Sequence, residues 1–155
     1  MSQRLNAFQV APGAIDAVLK TQIYVNECGL EHSLLELVKM RASQINGCAY
    51  CLHMHAADAR KAGESEARLY LLDAWHESGL YSPRERAALA WTEALTRVSS
   101  EGGPSDATFA ELRAHFSEKE AVDLTVAIGA INTWNRINVG FRTRHPADKP
   151  AKAAA

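Results

Sequence analysis

Residues 36–55, ELVKMRASQINGCAYCLHMH, carry a C-x-x-C pair (Cys48, Cys51), a histidine four residues after it (His55) and a glutamate before it (Glu36). Asn46-Gly47 is a helix-stop and turn signal, so one helix ends there and a second begins at Cys48. The cysteines then occupy a first helical turn, where unpaired N–H groups and the positive end of the dipole favour thiolate over thiol. Cys51 and His55, at i and i+4, share a helix face, which brings the imidazole within reach of the thiol. Glu36 stands 11 residues before Gly47 and His55 stands 8 after it, roughly 16 Å and 12 Å at 1.5 Å per residue. An antiparallel hairpin brings the two level to within about one turn. The carboxylate can then orient and polarise the imidazole, directly or through one water, so the stretch reads as a candidate active site of nucleophile, base and orienter. The helix dipole favours Cys48 as nucleophile and nearness to His55 favours Cys51, and the residues alone leave both open.

Working outward, 155 residues suffice for one domain with a substantial core. We expect it over 1–145, with a frayed tail at 146–155 where proline, lysine and alanine accumulate. Lys+Arg 17 against Asp+Glu 18 gives a formal charge of -1, which offers no footprint for nucleic acid or an anionic membrane. No apolar run approaches the ~18 residues of a membrane span, and MSQRLNAFQVAPG lacks the apolar centre of a secretory signal, so the expected location is cytoplasmic. In a reducing compartment, three cysteines with two as C-x-x-C point to redox chemistry or metal rather than a structural disulfide framework. Zinc is the main competitor, with Cys48, Cys51 and His55 as ligands. A structural site normally takes a second ligand pair, and no second C-x-x-C or H-x3-H exists. Covalent haem needs histidine where Leu52 stands, and no βαβ pattern supports a thioredoxin reading. No metal or cofactor is expected.

No stretch alternates with period two, so the fold class is all-α, with six or seven helices. The first spans about 14–27 and closes at Gly29, with Cys28 as a small buried hydrophobe. Ser33-Leu34-Leu35-Glu36 has the form of a capping box, a structural role for Glu36 that competes with the catalytic one, although the second carboxylate oxygen permits both. The site helix runs from Cys48 to about Lys61, with His53 on another face as a surface residue. Further helices are expected over 65–75, from Ser82 to the loop at 99–104, over 105–116, and from Ser117 onward; Ser82/Glu85 and Ser117/Glu120 form capping boxes. The last helix is apolar on most sides (Val122, Leu124, Val126, Ile128, Ile131) and is expected to be buried against the site hairpin. Trp75, His76 and Trp91 are candidate pocket residues, but large aromatics at helical spacing are more often core.

The pattern E-x11-C-x2-C-x3-H formed by Glu36, Cys48, Cys51 and His55 resembles the AhpD-like alkylhydroperoxidases of the carboxymuconolactone decarboxylase superfamily, and Ile131 to Arg136 (INTWNR) resembles the family's C-terminal core helix. The resemblance implies a helical bundle around the central hairpin and a peroxidase acting on organic hydroperoxides. It also implies Cys51 as peroxidatic cysteine, Cys48 as resolving cysteine, and Glu36 with His55 as proton relay. A dithiol carrier or lipoylated protein would be the reductant, and the assembly a trimer or hexamer. One departure is Tyr50, where the best-known members have histidine. The rival readings are a lyase of the carboxymuconolactone decarboxylase branch, which does not need the cysteine pair, and a non-enzymatic thiol redox sensor.

Overall fold

The structure, a computed structural model, describes residues 2–147. Among them are nine α-helices and no strand: α1 (Ala7–Val10), α2 (Pro12–Glu27), α3 (His32–Ile45), α4 (Ala49–Lys61), α5 (Glu66–Tyr70), α6 (Pro83–Thr96), α7 (Val98–Glu101), α8 (Asp106–His115) and α9 (Glu118–Phe141). A 3-10 turn at Leu72–Ala74 completes them. The all-α reading holds, and seven of these helices match expected segments. The other two, α1 and α7, are four residues long, too short to display a 3.6-residue repeat. The segment expected as one helix over 65–75 is divided into α5 and the 3-10 turn. The tail expected over 146–155 lies, from 148 onward, outside the described residues. No described helix is long and apolar enough to cross a membrane.

The bundle is built around α3, which packs on α4, α6 and α9 and is buried without interruption from Leu34 to Ser43. One face of α3 (Leu34, Leu35, Val38) meets Ala88 and Trp91 of α6 and Leu124 and Ile128 of α9. Another face (Leu37, Met40) meets Ala59, Leu72, Trp75 and Leu89. A third, smaller cluster joins Ala42 to Cys48, Cys51 and Ile131. Burial of each such Leu or Ile contributes about 1.5–3 kcal/mol against the entropy of ordering the chain. α9 packs on α3 and α4 as expected but leaves Val122 61% exposed, so α3 is the helix enclosed on all sides.

Two of the three expected capping boxes form, at Ser82/Glu85 and Ser117/Glu120, where side chain and backbone bond reciprocally. The third does not: α3 begins at His32, its N-cap is Glu31 without a side-chain cap bond, and Ser33 lies inside the helix. Glu36 is turned inward to two cationic or N–H-bearing partners, Lys39 and His55, which outcompete a single exposed backbone N–H.

Polar side chains fix the hairpin turn on α9. Asn46 Nδ2 donates to Asn132 Oδ1 (3.0 Å) and Asn135 Oδ1 (2.9 Å), and Asn135 Nδ2 donates to Ser43 Oγ (2.9 Å). Asn135 is therefore a buried tie within the chain, and Arg136 bonds back to Asn132. At the other end of the chain, the Arg4 amide donates to Phe141 O and its Nη1 to Gly140 O, both at 2.9 Å, and the Phe8 ring stacks on Trp134.

Candidate active site

The turn between α3 and α4 is set by Gly47, whose φ of 64° is a conformation that favours glycine and ends α3 in a left-handed C′ position. The next residue, Cys48, is the N-cap of α4, and its Sγ accepts the Cys51 backbone N–H at 3.3 Å. Cys48 and Cys51 form a disulfide, with Cα atoms 5.4 Å apart and both residues 1% exposed.

The hairpin brings Glu36 and His55 into direct contact, closer than the one-turn tolerance of the sequence argument and without an intervening water: Glu36 Oε2 lies 2.8 Å from His55 Nδ1. The other oxygen, Oε1, accepts from Lys39 Nζ at 2.9 Å. All three side chains are buried. Burial opposes the Glu36 charge, but the hydrogen bonds and charges of His55 and Lys39 outweigh it and hold the carboxyl down at about 2. An ionised carboxylate at Nδ1 selects the tautomer with the proton on that nitrogen. Among the described residues the ring's hydrogen bond is made through Nδ1, so Nε2 is the nitrogen left for proton transfer.

A cavity of about 490 Å³ opens on this cluster. Phe8, Leu19, Met54, Ile131 and Trp134 give it apolar walls; Glu36, Lys39, Cys51, His55 and Asn138 supply its polar part. Cys51 lines the cavity, whereas Cys48 is packed behind it with Ala42 and Ile131. All four predicted residues thus converge, Cys48 as the concealed member. Glu36, His55 and Asp58 have ligand atoms within 4.8 Å of one another, a spacing that could hold a cation. Both Glu36 oxygens are already engaged, Oε1 by the Lys39 ammonium and Oε2 by His55 Nδ1.

The remaining candidates lie apart. Cys28 donates to Val25 O on α2, and exposed His53 stacks on His145. Trp75 and Trp91 are core, their indole N–H groups bonded to Glu93 and Thr125, and His76 stacks outside on Trp75. Sequence reasoning missed Lys39 and Asn138. Lys39 has a readable signal, an i+3 relation to Glu36. Asn138, whose Nδ2 lies 3.5 Å from Cys51 Sγ, is 87 residues away in sequence and has none.

Residues 10–94 match the model of the carboxymuconolactone decarboxylase family. The uncharacterized protein YdfG of Bacillus subtilis is 41% identical over 144 residues, 93% of this chain and 97% of that one. The crystal structure of a protein of unknown function from Agrobacterium tumefaciens, provisionally described as the antioxidant defence protein AhpD, is 50% identical and superposes with a TM-score of 0.90 over 94% of this chain and 99% of that one. A peroxidase-related protein with an AhpD core from Ralstonia eutropha shares the fold at 22% identity, with a TM-score of 0.78 over 90% of this chain and 74% of that one. With a family match over more than half its length and the hairpin of Glu36, Cys48, Cys51 and His55 assembled, the chain is an AhpD-like member of the carboxymuconolactone decarboxylase family.

Proposed function

We propose that the chain is a dithiol peroxidase that reduces organic hydroperoxides. The observation that carries this reading is the division of the pair: Cys51 lines the cavity together with His55 and Glu36, and Cys48 lies behind it. His55 Nε2 takes the Cys51 thiol proton, with Glu36 holding the imidazole and stabilising its cation, and Lys39 keeping Glu36 ionised. The Cys51 thiolate attacks the terminal peroxide oxygen, the O–O bond breaks, the departing alkoxide receives the proton from His55 as alcohol, and Cys51 becomes a sulfenic acid. Cys48 then attacks the Cys51 sulfur, the S–O bond breaks, and water leaves as the disulfide closes.

An external dithiol, of the carrier or lipoylated type that the family suggests, returns two electrons and two protons. Cavity access directs it to Cys51, and Cys48 departs as a thiolate stabilised by its N-cap position and the Cys51 N–H. These steps use no metal, flavin or haem. A single domain over 1–145, a trimeric or hexameric assembly and a cytoplasmic setting complete the proposal.

The test is thiol content and intact mass of the reduced protein before and after one equivalent of cumene hydroperoxide, with metal analysis alongside. Rapid loss of two thiols, with a mass decrease of two hydrogens, is the expected result. Inert thiols in metal-free protein overturn the peroxidase reading, and inert thiols with stoichiometric zinc replace it with a metal site.

A further inference from the structure

Asn138 lies in the last turn of α9, buried, with its side-chain Nδ2 3.5 Å from Cys51 Sγ and 3.0 Å from the carbonyl oxygen of Trp134. A carbonyl oxygen only accepts, so the atom beside it is the NH2 group and not the amide oxygen; the orientation of the amide is fixed by chemistry. One amide proton serves Trp134, and the other is left for the sulfur. No other side chain or backbone group among the described residues makes a hydrogen bond to Cys51 Sγ.

That isolation matters, because Cys51 is 1% exposed and packed with Ile131 and Trp134, an apolar setting that raises a thiol's pKa unless donors compensate. The ionisable groups around the cavity come from α3 (His32, Glu36, Lys39) and α4 (Tyr50, His55, Asp58), and α9 contributes none. We propose that Asn138 is a further catalytic residue, the donor from α9 that holds the Cys51 thiolate. The assignment rests on the reading of Cys51 as the reacting thiol. As a neutral amide, Asn138 donates equally at every working pH, whereas His55 serves as a base only when unprotonated.

The test uses full-length protein carrying Cys28→Ser and Cys48→Ser, which leaves Cys51 as the lone thiol. Its ionisation is followed by thiolate ultraviolet absorbance and by the pH dependence of iodoacetamide alkylation. Asn138→Leu, of similar size without a donor, and Asn138→Asp, of the same shape with an acceptor in its place, should each raise the Cys51 midpoint by about one pH unit, leaving about tenfold less thiolate below it. An unchanged midpoint in a variant with wild-type circular dichroism overturns the proposal. A second measurement needs no substitution at the site: the Asn138 side-chain amide resonance should move with the Cys51 titration, and a flat resonance overturns the proposal equally. Neither titration contains peroxide. An Asn138-dependent midpoint without hydroperoxide consumption would sink the peroxidase reading alone; turnover with a midpoint indifferent to Asn138 would sink this inference alone.

Discussion

Replacing Glu36 with glutamine keeps the side chain's shape and one acceptor while removing its charge, and the structure sets the size of the effect. Hydrogen bonds and charges from His55 and Lys39, prevailing over burial, take the carboxyl from the ordinary 4.5 to about 2. At 1.36 kcal/mol per pH unit, that depression corresponds to about 3 kcal/mol of folding free energy. Because the folded-state value is the lower one, this stability is fully present above pH 4.5 and is lost as the pH falls through about 2. Glu36→Gln should therefore be destabilised by up to about 3 kcal/mol above pH 4.5, the part owed to Lys39 persisting whether or not His55 carries charge, in keeping with the cost of stranding the buried Lys39 ammonium. The penalty should shrink steadily below pH 4.5, to about 1 kcal/mol at pH 2.5. Urea unfolding of both proteins at several pH values between 7 and 2.5 measures the difference. Other depressed carboxylates, among them Glu93 and Glu120, are common to both proteins and cancel in it. A penalty that stays constant across the window would refute the argument that the buried carboxylate is held ionised by its partners.

Three further outcomes are expected. Cys51→Ser should abolish hydroperoxide consumption, whereas Cys48→Ser should permit one turnover and leave a sulfenic acid that dimedone labels; the opposite pattern by mass spectrometry would reverse the two roles. Leu124→Ala, at a fully buried position between α3 and α9, should cost about 2–5 kcal/mol in denaturant unfolding. Ser117→Ala should cost about 1 kcal/mol by removing the cap of α9, and a loss below a few tenths would show the box to be idle.

The hairpin was legible because its geometry is local: helix rise and one turn signal suffice to bring Glu36 level with His55. What sequence could not supply falls into two kinds. Buried charge defeats hydropathy: Lys39 and Arg41 look like surface residues, yet each is enclosed and neutralised, Arg41 by Glu93 at 2.8 Å. Long-range partners defeat periodicity, because nothing near Asn138 announces a sulfur 87 residues away, and nothing near Phe8 announces Trp134. The false capping box at Ser33 belongs to the first kind. A serine, a glutamate and the right spacing satisfy the local rule, while the tertiary partners of Glu36 decide the conformation.

The stretch ahead of α2 gives the cavity a property independent of its chemistry. Phe8 is 54% exposed and belongs to a four-residue helix, held by its stacking on Trp134 and by the two bonds from Arg4 to the end of α9. Phe8 precedes residues 10–94, the family-matched segment that carries the cysteines, the histidine and the glutamate. A substitution at Phe8 therefore reshapes one wall of the cavity while leaving Glu36, Cys48, Cys51 and His55 where the hairpin sets them.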